Sequence, residues 1–206
     1  MKNRILLLFY ILYFFMQFAI GSDEIVPRNL TASSLRSLDA MQGGKYGESR
    51  HRYNIDALPA EDSVSSFEDG KCCETVYTNE RTVKCSIVNT GGYYVVWGNY
   101  LSACCVGGRS EWEKIKDLLL PHENRHKSKN EEINRDVAPI TFRVLKGMSK
   151  KECNASKAEA KRLAREAWEE AIARAINDFR EYCEVQHDII NLQDVKPTNI
   201  NACTCE

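Results

Sequence analysis

Apolar positions change their period several times along the chain. Residues 5–20 are an almost unbroken apolar run behind Lys2 and Arg4. That is the layout of a secretion signal, with Ala19-Ile20-Gly21 as a small-x-small cleavage site, so residues 1–21 are expected to be a signal peptide. Residues 22–70 are polar, poor in large apolar side chains and free of cysteine. This composition predicts a flexible N-terminal arm or a propeptide, with Arg50-His51-Arg52 as a candidate processing point.

From residue 71 the pattern becomes β-branched and aromatic. Val76 and Tyr77, then Val83, Cys85 and Ile87, then Tyr93 to Trp97 are separated by Asn79-Glu80 and Thr90-Gly91-Gly92. Short strands joined by hairpins are predicted over 71–106. Ser110 and Glu113 then have capping-box spacing, which predicts a helix start at Ser110. Trp112, Ile115, Leu119, His122, His126 and Ile133 recur at three, four or seven and share one face. Pro121 inside this run predicts either a kink or a fresh helix after Leu120. Residues 140–145, between Pro139 and Gly147, are predicted as a strand. A second capping box, Ser149 with Glu152, predicts a long helix whose stripe runs Leu163, Ala167, Trp168, Ala171, Ile172, Ala175, Ile176, Phe179 and Cys183, with His187 continuing it. The expected architecture over 71–206 is α+β: a small antiparallel sheet packed against two long helices.

Charge narrows the function classes. The formal net charge is −1 with both signs interleaved, which argues against a nucleic-acid partner. Beyond the signal no apolar stretch approaches the roughly 18 residues of a membrane helix, so no membrane association is expected after signal cleavage. The nine cysteines point to an oxidising, extracellular compartment. Eight would make four bridges and leave one thiol free or linked to a partner chain. Were Cys153 and Cys183 on one continuous helix, its rise would hold them about 45 Å apart. Each would then pin another segment, with Cys203 and Cys205 as natural candidates. Asn29-Leu-Thr31 and Asn154-Ala-Ser156 are glycosylation sequons.

The candidate chemistry lies in His122-Glu123-Asn124-Arg125-His126. Two histidines four apart on a helix project from one face and can share one Zn²⁺, while the glutamate beside the first can take a proton from a water. A catalytic zinc needs a third protein ligand and an open position. His51 lies between two arginines in the polar arm and is set aside. His187 falls on the apolar side of the last helix and is the favoured third ligand. Glu152 and Asp188 compete for that role, and Asp188 can instead orient an imidazole. Tyr182, in the turn before His187, is a candidate oxyanion donor.

The order of Cys85, Trp112, the His-Glu-x-x-His segment, Cys153, Tyr182 and His187 resembles the predicted secreted zinc-dependent peptidases, a small and mainly bacterial domain family. The resemblance covers about residues 85–190, and His-Glu-x-x-His is its individually specific motif. It implies a compact, disulfide-stapled zincin-like domain. One Zn²⁺ would be held by His122, His126 and His187, with Glu123 as general base toward a peptide or protein substrate. The chain departs from the family at Arg125, where a small residue is usual, and at Val185 and Asp188 around the last histidine. The cysteine content supports an alternative, a non-catalytic secreted interaction protein.

Overall fold

The strand-rich and helix-rich stretches fold as an α+β protein. The computed structural model describes residues 23–56, 61–81, 83–102, 106–193 and 195–200. The signal segment and Cys104, Cys105, Cys203 and Cys205 lie outside them. Six strands are β1 (Ile25–Leu30), β2 (Gly47–Asp56), β3 (Glu61–Glu68), β4 (Lys71–Thr78), β5 (Lys84–Trp97) and β6 (Ser149–Asn154). The helices are α1 (Leu35–Gln42), α2 (Val106–Asp136), α3 (Ala138–Lys146) and α4 (Lys157–Asn191). Two three-stranded sheets have the orders β1-β5-β2 and β3-β4-β6. Among the described residues no helix is long and apolar enough to cross a membrane. Contacts gather into two units, the described residues of Met1–His51, Asn89–Asn124 and Val195–Glu206, and those of Arg52–Val88 and Arg125–Asp194.

In the first unit, β1 runs parallel to β5 from Ile25 opposite Gly92 to Leu30 opposite Trp97. Leu35, Leu38, Tyr46, Val95, Trp97, Trp112, Ile115 and Leu119 form its core. The Trp97 and Trp112 rings meet edge to face at 5.9 Å, and the Trp97 indole N–H donates to the Ala32 carbonyl at 2.8 Å. Residues 22–70 are therefore not a loosely held arm over their described length, because they carry β1, α1, β2 and β3. The few apolar residues there are placed where they count: Leu35 and Leu38 are fully buried. Ser34 caps α1 by accepting from the Ser37 N–H, and Gly43 ends it in the left-handed region at φ 59°.

Thr198 and Asn199 of this unit are held by Glu111. Its carboxylate accepts from the Thr198 N–H and hydroxyl at 3.0 and 2.7 Å and from the Asn199 N–H at 3.3 Å. The Lys114 ammonium and then the Thr198 hydroxyl hold this carboxyl at about 2, below its ordinary 4.5. A depressed carboxyl stabilises its contacts above the ordinary value and loses them as pH falls toward the depressed one. The protection of the Thr198 and Asn199 amides, their exchange taken relative to the intrinsic rate at each pH, is therefore expected to be high above pH 4.5 and to fall as the pH drops toward about 2.

In the second unit β4 is the central strand, antiparallel to β3 and β6. Cys73 and Cys153 face each other in the β4–β6 register and form a disulfide. Alternate residues Glu74, Val76 and Thr78 are buried, and the Trp168 indole donates to the Thr78 hydroxyl at 3.1 Å. Val76, Val83, Leu145, Ala164, Trp168 and Ile172 make one core cluster, and Ile87, Ile133, Ala138, Phe179 and Cys183 another.

Several local expectations are corrected here. Residues 149–154 are a strand, because pairing with β4 and the disulfide outweigh a capping box worth about 1 kcal/mol. The long helix starts only after Ser156, so Cys153 and Cys183 do not share it. Residues 140–145 are helical within α3: Pro139 sits in the first turn, and Ala138, Phe142 and Leu145 are spaced to pack inward. Helix α2 begins at Val106, ahead of Ser110, and Glu113 pairs with Lys116 at 2.7 Å. It passes unbroken through Pro121, which lies on the exposed side.

Candidate metal centre

The stripe predicted for α2 is the buried one: Trp112, Ile115, Leu119, His122, His126 and Ile133 are all buried. So is Glu123, only 5% exposed. Imidazoles and a carboxylate are withdrawn from water only where partners or chemistry compensate, since a buried charge without a partner is costly. The i, i+4 spacing of one helix sets His122 and His126 a turn apart on that face.

In the second unit, His126 meets His187. Their Nδ1 atoms are 2.7 Å apart and the rings stack at 15° with centroids 5.0 Å apart. His187 reaches this point because α4 keeps its period to Asn191, leaving it 7% exposed beneath the stripe of Phe179 and Cys183. Its other nitrogen, Nε2, is 2.8 Å from Asn130 Oδ1. An amide oxygen only accepts, so in a neutral His187 the proton sits on Nε2 and Nδ1 faces His126 as the acceptor. Metal-ligating histidines are commonly oriented in this way, by an oxygen that holds the far ring nitrogen.

Asn130 is the residue that sequence reasoning missed. It is fully buried and stands one turn beyond His126, as His126 stands one turn beyond His122. The spacing His122, His126, Asn130 was visible, but an asparagine on a helix facing the core has no specific signature until its partner is known.

In the first unit the Glu123 carboxylate lies against the start of β2. A Cβ at Gly47 would fall 2.1 Å from Glu123 Oε1. Only glycine leaves room for that carboxylate, and position 47 carries no motif that announces it.

The other candidates are placed differently. His51 lies within β2 and is half-buried. Tyr182, next to buried Cys183 on α4, is 40% exposed. Glu152 on β6 and Asp188 on α4 are both exposed. Arg125 points outward and donates to Gln193 Oε1 at 2.5 Å, so the bulky residue before the second histidine does not occupy the buried face.

A tetrahedral Zn²⁺ with Zn–N near 2.0–2.1 Å needs its ligand nitrogens about 3.3–3.4 Å apart. The two Nδ1 atoms, at 2.7 Å, would have to part by about 0.6 Å to admit one. Both rings of the pair are buried, and the second nitrogen of His187 is engaged by Asn130. No protein-family model, curated protein or solved structure matches the chain.

Proposed function

We propose that the protein is a secreted zinc-dependent peptidase of zincin-like build, with His122, His126 and His187 as ligands of one Zn²⁺ and Glu123 as general base. The observation that carries this is the buried His126–His187 pair, Nδ1 to Nδ1 at 2.7 Å with Asn130 fixing the His187 tautomer. When bound, Zn²⁺ polarises a carbonyl oxygen and lowers the pKa of a water to about 7. The chain's own residues do the rest. The histidines would hold the ion, with Asn130 orienting His187. Glu123, kept dry and backed by the bare Cα of Gly47, accepts the water's proton at a carboxylate oxygen and returns it to the leaving amine. A glutamate beside the first histidine of such a pair suits this task.

The 2.7 Å separation also favours a second reading, in which His126 Nδ1–H donates to His187 Nδ1 and His187 Nε2–H to Asn130 as a metal-free structural relay. Under it the protein is the disulfide-stapled interaction protein that the cysteine content suggests.

Metal analysis separates the two. About one zinc per chain is expected in the purified protein. His187→Ala should lose it, and Asn130→Leu should weaken zinc binding about 10–100-fold. A folded wild-type protein that takes up no zinc in equilibrium dialysis would leave the relay in possession.

A further inference from the structure

Two cysteines of the second unit are free thiols in one core cluster. Cys85 is half-buried on β5, and Cys183 is fully buried on α4. Strand alternation puts Cys85 and Ile87 on one face of β5, and helix spacing puts Phe179 and Cys183 on one face of α4. These four side chains pack together with Ile133 and Ala138. The thiols are also within electrostatic reach, since negative charge on Cys85 disfavours ionisation of Cys183.

We propose that Cys85 and Cys183 close a second disulfide in this unit, tying β5 to α4 one turn before His187. The pairing leaves Cys72, half-buried on β4, as the odd thiol among the described residues. The bond forms by thiol–disulfide exchange with a disulfide oxidant such as glutathione disulfide. The Cys85 thiolate, the more accessible, attacks one sulfur of the oxidant, whose S–S bond breaks and releases a thiol. The Cys183 thiolate then attacks the Cys85 sulfur of the mixed disulfide and releases the second thiol. The protons of the two cysteines end on the released thiols, and two electrons pass from the protein to the oxidant.

Timing follows from the surroundings. Burial pushes Cys85 up to about 11 and Cys183 up to about 12. Both are protonated at neutral pH in the packed core, and it is the thiolate that attacks. Exchange belongs to folding, before the core closes. The bond then clamps the turn of α4 that leads into His187.

Full-length protein made through an oxidising secretory route is alkylated under denaturing conditions without reductant, digested and mapped by mass spectrometry. The expected result is a linked pair of peptides holding Cys85 and Cys183, lost on reduction, and in Cys85→Ser an extra alkylated thiol at Cys183. Alkylation of both positions in the unreduced wild type overturns the proposal, and so does linkage of either to another cysteine. The wild-type map decides even if Cys85→Ser fails to fold. Because the readout is a covalent link, absence of zinc from the protein would defeat the metal centre and leave this pairing standing.

Discussion

Glutamine at position 123 is expected to leave zinc bound and to lower kcat for peptide hydrolysis about 10²–10⁴-fold, the usual contribution of a general base. Glu123→Gln keeps the volume of the side chain and removes its capacity to take a proton. Zinc content and the thermal midpoint measured beside kcat make the result specific: activity falls while both stay. Retained activity would remove Glu123 from the mechanism. Gly47→Ala probes the same carboxylate from the other side. The added Cβ falls 2.1 Å from Glu123 Oε1, 2.8 Å from Cδ and 2.9 Å from Cγ. Making room for the methyl moves the far end of the glutamate off its seat against β2. A misplacement near 1 Å is worth on the order of 10²-fold in rate. The expected outcome is a zinc content close to wild type with strongly reduced kcat. Unchanged kcat would mean that the carboxylate's seat against β2 is immaterial.

Trp168→Ala should destabilise the protein by about 3–5 kcal/mol, read as a shift in the denaturant midpoint. The indole is 1% exposed, packs with Val76, Leu145 and Ile172, and donates to the Thr78 hydroxyl at 3.1 Å. Against a typical total of about 5–15 kcal/mol, that is a large fraction. Trp168→Phe keeps most of the packing and deletes the hydrogen bond, so its cost should be nearer 1–2 kcal/mol. Equal losses in the two variants would mean that the Thr78 hydrogen bond, not the ring's volume, carries the effect.

Sequence alone determined the parts governed by local period. Helix facing depends on residues three and four apart, so the stripe from Trp112 to Ile133 and its continuation to His187 could be drawn without coordinates, and every histidine on it is buried. That is why His122, Glu123, His126 and His187 were legible as candidates. Where a residue's state depends on a distant partner, only the tertiary structure decided. Ser149 to Asn154 carries a helix-start signal, yet β4 and the Cys73–Cys153 bond hold it as a strand across 80 residues of sequence. The polar stretch before residue 71 looked too poor in apolar side chains to order itself. Its β1 instead takes its hydrogen-bond ladder from β5, and its leucines enter a core built around Trp97 and Trp112. Asn130 gains meaning only because α4 brings the His187 Nε2 to 2.8 Å from it. Gly47 gains its meaning only from the Glu123 carboxylate. Periodicity is a property of neighbours along the chain, whereas ladder pairing, disulfide choice and the tautomer of a buried imidazole are set by groups that only folding brings together.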